Sequence, residues 1–319
     1  MRSRSNTWIG VGLACGLLLV PASRVASRDL EMRAPPGSVT PAEVAELWAR
    51  ASALEGEALA LDRTDSELGR ERLVRAAALF ERVGDAEGGR TQGYWRAARA
   101  TWIAGDLLPL EATAARIEAF TDALWLADRG VAANPDCAEC MLWKFIAMGR
   151  LRTTSGVWEG IRQVPEMAEL LDRAIELQPK HRDDENNSTM GNLHYSSAIF
   201  YRLVPEWFWI RWVLGVKGDK ERALQHSRKA LGLHPRRLDY QIEVATQLLC
   251  LGSLREDPVR MREGKILMRD AIARDATGTD AQREIYFARI MLAQPKKSCG
   301  YSGDKLLELD EAAARGAAR

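Results

Sequence analysis

The sequence predicts an all-α protein, a solenoid of helical hairpins with enlarged repeats. Three observations carry this. First, small and apolar residues recur with a 4-then-3 spacing that puts them on one helix face: Ala223, Ser227 and Ala230, followed by Pro235. The template returns as Ala123, Ala127, Gly130, Pro135 and as Met167, Leu171, Ala174, Pro179. Weaker copies are Gly264, Met268, Ala271 with Ala276, and Ala76, Phe80, Val83 with Gly88. Second, strand-like runs are few, and glycine and proline cluster between helical patterns. Third, alanine, leucine, arginine and glutamate dominate, all good helix formers.

Close packing of antiparallel helices explains the template. A small side chain lets the paired backbone approach, and a larger one fills the adjoining groove. Proline cannot continue a helix, so it fixes where each hairpin hands over to the next. These residues resemble the tetratricopeptide pattern. The terminal positions 88, 135, 179, 235 and 276 give steps of 47, 44, 56 and 41. The standard repeat is about 34 residues, so insertions are expected.

At the N-terminus, Arg2 and Arg4 precede an uncharged run from Trp8 to Val20, with small residues at Ala22, Ala26 and Ser27. This reads as a secretory signal peptide over 1–27, because the run is shorter than the ~20 residues of a spanning helix. The expected location is therefore exported and periplasmic. Cys15 is a poor lipoprotein site, since the apolar run continues past it through Leu19. Residues 28–40 read as a polar linker, and the solenoid as 41–319. Thr40 and Pro41 form an N-cap and first helical residue, and Val44, Leu47, Trp48 and Ala51 make one stripe. A second helix from Asp65 carries Leu73, Val74, Ala77 and Phe80. The next hairpin pairs Tyr94–Ile103 with a helix ending at Pro135. Beyond Pro235, helices are expected over 238–251, 256–275, 280–294 and 304–318, the last a polar terminal cap.

YWRAARA at 94–100, NPDCAECMLWKFIAMGRL at 134–151 and SGVWEGIRQVPEMAELLDRAIELQP at 155–179 sharpen the likeness. These stretches resemble two groups of tetratricopeptide-like proteins: the periplasmic T component of TRAP-type (tripartite ATP-independent periplasmic) transporters, and the regulator of microtubule dynamics family. Trp95, Arg96, Ala98, Trp143, Gly149, Glu159, Gly160, Ala174 and Pro179 carry the resemblance, which covers roughly residues 90 to 252. None is a catalytic signature. An exported chain cannot act on microtubules, so the leader points to the periplasmic branch. The resemblance implies an accessory component that docks on a periplasmic solute-binding protein.

Charge excludes one class of partner. Net charge is +1, and loss of Arg2 and Arg4 would bring it near −1, so no nucleic acid or other polyanion is implied. No nucleophile elbow, zinc-protease motif, dinucleotide fingerprint or phosphate loop occurs, so the expectation is no catalytic residue, no cofactor and no metal. The four histidines, His181, His194, His226 and His234, are scattered over helix ends and faces as solvated or capping residues. Cys137 and Cys140 form a C-x-x-C at a helix start. A structural disulfide, buried thiols, a redox pair and half a metal site all remain open for it. Cys250 ends the first helix of one hairpin, and Cys299 follows the first helix of the next. Equivalent ends of stacked repeats lie side by side, which makes them disulfide candidates, while Cys250 as a small buried apolar residue is the alternative.

One stretch departs from a plain repeat. LVPEWFWIRWVLGVKG, 203–218, inserts Trp207, Phe208, Trp209, Arg211 and Trp212 between the two helices of a hairpin. The aromatics fit a plug for an enlarged repeat, a partner or ligand surface, or a peripheral membrane contact. Tyr94, Trp95, Tyr195 and Tyr201 are further candidates for that surface. The functional expectation is binding of a protein partner or ligand, since solenoids present a concave face built from the first helices of their hairpins. An envelope assembly scaffold and a thiol redox protein are the rival readings.

Overall fold

The structure, a computed structural model, describes residues 39–61, 65–86 and 91–308. The expected leader, all of the linker but Val39 and Thr40, and the Gly88 slot lie outside these residues. Thr40 opens the array with a capping box. Its hydroxyl accepts the Glu43 backbone N–H, and its own N–H donates to the Glu43 carboxylate at 2.7 Å. Helix α1 (Pro41–Leu59) is followed by α2 (Ser66–Asp85), α3 (Thr91–Asp106), α4 (Thr113–Ala133), α5 (Ala138–Ser155) and α6 (Val164–Glu176). Next come α7 (Thr189–Leu203), α8 (Phe208–Leu214), α9 (Lys220–Leu233), α10 (Leu238–Leu254), α11 (Pro258–Ile272) and α12 (Thr279–Ala293). Short 3-10 segments at Val157–Gln163 and Pro295–Gly300, and a hairpin of β1 (Arg182–Asp184) with β2 (Asn187–Ser188), complete the described elements. Among the described residues no helix is long and apolar enough to cross a membrane.

The hairpins are α1–α2, α3–α4, α5–α6, α7–α9 and α10–α11, stacked so that α3, α5, α7, α10 and α12 neighbour one another in turn. Every repeat-face residue named above is buried in its second helix, from Ala76, Phe80 and Val83 in α2 to Gly264, Met268 and Ala271 in α11. The small positions are needed for contact. A Cβ on Gly130 would sit 2.7 Å from the Cys140 sulfur, and one on Gly93 would fall 2.4 Å from the Gly84 backbone nitrogen. Helices α2 and α3 therefore meet backbone to backbone, which only glycine permits.

The end of the chain differs from expectation. Residues 304–308 are not helical, and 309–319 lie outside the described residues. Instead of a polar cap, 301–308 form an extended strap, with Tyr301 bridged to Leu306 and Gly303 at φ +95°. Buried charge explains this. Asp304 is 3% exposed and reaches Arg150 of α5 at 2.6 Å and Arg116 of α4 at 3.4 Å. Arg283 of α12 approaches Asp106 at the end of α3, 3.7 Å away. The superhelix thus curls until its last elements touch its second hairpin. These contacts outweigh the helix propensity of DKLLE at 304–308, since a buried carboxylate beside two guanidiniums must stay with them.

Two further devices hold the base of the strap. Cys250 and Cys299 are joined by a disulfide. Arg202, fully buried in α7, makes a bidentate pair with Glu243 of α10 at 2.9 and 3.1 Å, and its free arm donates to the carbonyls of Ser298 and Tyr301 at 3.0 and 2.7 Å. Burial pushes the Glu243 carboxyl up while Arg202 pulls it down.

Candidate functional site

Helices α3, α5 and α7 turn one side chain stripe each toward the inside of the curl. The stripes are Trp95, Trp102 and Ile103; Leu142, Phe145, Ile146 and Gly149; and Tyr195, Ile199 and Phe200. They enclose a cavity of about 450 Å³. The β-hairpin contributes Asp183 and Asn187, α8 contributes Ile210 and Leu214, and the strap closes one side with Ser302 and Gly303. Such a space, mostly apolar with a few polar groups, has the size and make-up of a small-molecule site, for which roughly 300–1,000 Å³ is typical.

The ionisable groups on its wall are mostly committed to one another. Arg99 pairs with Asp183 at 2.9 Å, Arg150 with Asp304 at 2.6 Å, and Arg237 with Asp239, its Nε 2.8 Å from the carboxylate. Glu139 accepts the Thr189 hydroxyl at 3.2 Å, and His181 lies edge-on to Trp95. Arg152 differs. Its Nε donates to Gln163 at 2.9 Å, and among the described residues it has no carboxylate partner. The Trp102 indole N–H is buried and finds no acceptor among the described residues. Each is a donor on the cavity wall able to meet an oxygen.

One hydroxyl–carboxylate contact faces this space, the Thr189–Glu139 hydrogen bond. A Ser–His contact lies outside its wall: Ser188 Oγ is 2.6 Å from His234 Nε2 and also accepts the Gly191 backbone N–H, so the hydroxyl works as the N-cap of α7. Among the described residues no group of three His, Cys, Asp or Glu is placed to hold a metal. Cys137 and Cys140 form a disulfide at the start of α5, and both are buried. The histidines are not scattered as expected. His194 and His226 meet with their Nδ1 atoms 2.9 Å apart, and these two together with His234 are buried.

The aromatic candidates separate into three groups. Trp95 and Tyr195 line the cavity, Tyr195 stacked on Tyr240 at 5.0 Å. Tyr94 and Tyr201 are core residues rather than surface ones, with Tyr94 donating to Asp85 at 2.9 Å and Tyr201 at 2% exposure. The insertion divides by face. Trp207 and Trp209 are half-buried and stacked, whereas Phe208, Arg211 and Trp212 are exposed.

Sequence reasoning missed Trp102, Leu142, Phe145, Ile146, Arg150, Ile199 and Asp304. A signal existed for most of them. The inner stripes of the first helices, such as Leu142, Ile146 and Gly149 or Asn192, Tyr195 and Ile199, have the same 4/3 spacing as the second-helix template. Asp304 carried no such signal.

Comparison with known proteins gives one family. The model described as regulator of microtubule dynamics protein 1-3 matches residues 60–254, which hold α2 to α10 and so most of the cavity wall but not the strap. No curated protein matches the chain.

Proposed function

We propose that this chain, which belongs to the family of regulator of microtubule dynamics proteins 1-3, is a non-catalytic binding protein that encloses a mainly apolar ligand in its curled solenoid. The observation that carries the reading is the cavity of about 450 Å³ walled by aromatic and aliphatic side chains from three successive hairpins. Its wall carboxylates are occupied in hydrogen bonds or ion pairs, and among the described residues the Arg152 terminal amines and the Trp102 N–H are left as donors for a polar group. The proposal includes export to the periplasm by the 1–27 leader. There the finer version, suggested by the likeness to T components of TRAP-type transporters, is an accessory that hands its ligand to a solute-binding protein.

Gly149 gives a direct test. A Cβ at that position meets only the flexible tip of Met167, at 3.7 Å, so the backbone accepts a side chain there and Gly149→Leu takes up cavity space. An apolar fluorescent probe should bind the parent and lose at least tenfold in affinity for the variant, while both melt alike. Equal probe affinity would refute the cavity reading. For the finer version, the parent should co-elute with a TRAP-type solute-binding protein.

A further inference from the structure

Helix α8 is built with two opposed faces. Ile210 and Leu214, four residues apart, point inward, where Ile210 is fully buried and both line the cavity. Phe208, Arg211 and Trp212 share the other face at i, i+3 and i+4. Phe208 is 76% and Trp212 88% exposed, and the adjoining Val213 is 56% exposed. Isolated exposed apolar residues need no explanation, but a tryptophan and a phenylalanine one turn apart on the same exposed face do.

The charge around them selects the partner. Arg211 and Lys217 in this insertion, and Arg162 in the 3-10 segment against which α8 packs, are exposed. Among the described residues none of the three has a carboxylate partner, in a chain whose arginines are otherwise widely paired. Glu206 is nearby but its carboxylate accepts the Lys220 backbone N–H. Exposed tryptophan and phenylalanine flanked by unpaired cations form the amphipathic pattern that seats in the headgroup layer of an anionic bilayer.

We propose that the outer face of α8, Phe208, Arg211 and Trp212, is a peripheral docking surface for an anionic membrane. Ring burial at the interface supplies the apolar part, and Arg211, Lys217 and Arg162 supply attraction to acidic headgroups. The inward face of the same helix meanwhile forms cavity wall. This surface is independent of what the cavity holds.

The test places an environment-sensitive fluorophore on α8 in the full chain, so that any contribution of the N-terminal apolar run is separated from it. In a Cys15→Ser background, Val213→Cys and Tyr286→Cys are labelled, which leaves Phe208, Arg211 and Trp212 in place. Tyr286 is exposed on α12 and serves as the control. With vesicles of phosphatidylglycerol and phosphatidylcholine, the probe at 213 should shift to the blue and be quenched by lipids carrying a spin label near the headgroup, and the probe at 286 should not. Arg211→Glu should move the lipid titration of the 213 probe by on the order of tenfold, because each basic residue near such a surface adds attraction. Three outcomes overturn the proposal: a 213 probe that stays in water while the chain sediments with vesicles, equal response to phosphatidylcholine alone, or shielding that follows protein concentration without lipid. The last would make this face an interface between proteins.

Discussion

Acidification should destabilise this protein through one pair of histidines. His194 of α7 and His226 of α9 place their Nδ1 atoms 2.9 Å apart, so one must donate and the other accept, and neither carries a proton to spare. His226 stacks on Tyr201, Arg222 lies over that tyrosine at 4.1 Å, and Lys229 adds further positive charge. Burial, with these cations, lowers His194 to about 4 and His226 to about 3. Both imidazoles are therefore neutral in the fold across the range where unfolded ones, at about 6.5, take up protons. Their contribution is intact above pH 6.5 and declines as pH falls from there toward 4. At pH 5 each costs about 2 kcal/mol, and the pair about 4, a large share of the roughly 5–15 kcal/mol that holds a domain together. The melting temperature should fall by on the order of 10 °C between pH 7.5 and 5.0. Glu284, raised by burial to about 8, acts with the opposite sign, so the double variant His194→Asn, His226→Asn is the proper reference. It should lose much less on acidification. Equal losses in parent and variant would refute the argument.

Three other outcomes follow from packing and linkage. Ala174→Leu and Ala230→Leu place bulk at fully buried contact positions, and each should cost about 1–3 kcal/mol in chemical denaturation, with unchanged midpoints disproving the repeat register. Cys250→Ser removes a bridge spanning 49 residues, worth about 4 kcal/mol in the chain-entropy model. A reductant should lower the parent's melting point toward the variant's, and free thiols in the untreated protein would contradict the pairing. Asp304→Asn strips Arg150 and Arg116 of a buried counter-charge and should cost about 3 kcal/mol, with faster proteolysis in 301–308 as the local sign that the strap has lifted.

The second helices were legible because their contacts repeat. Ala223, Ser227 and Ala230 face the paired helix of their own hairpin, a few tens of residues away at most, so a periodic signal along the chain reports a periodic packing in space. The same logic holds for Cys250 and Cys299, whose proximity follows from stacking one repeat on the next. The insertion was legible as an anomaly but not as two faces, since Ile210 and Trp212 differ in exposure only because α8 lies flat on the 3-10 segment Val157–Gln163.

What escaped the sequence is what depends on the curl. A solenoid's superhelical turn is the sum of small rotations at each interface, and no single residue announces it. The consequences are long-range: Asp304 meets Arg116 across 188 positions, and Lys305 donates to the Thr153 carbonyl across 152. Read locally, DKLLE at 304–308 favours a helix; read against Arg116 and Arg150, its first residue has a fixed place and the helix cannot start there. The cavity escaped for the same reason, because Trp102, Phe145 and Ile199 look like core residues of three separate hairpins until the curl brings their stripes around one space. The strap contributes Ser302 and Gly303 to that space yet lies beyond the residues matched by the family model. Ser302 and Gly303 thus wall a cavity whose other sides come mostly from the hairpins that the family model matches.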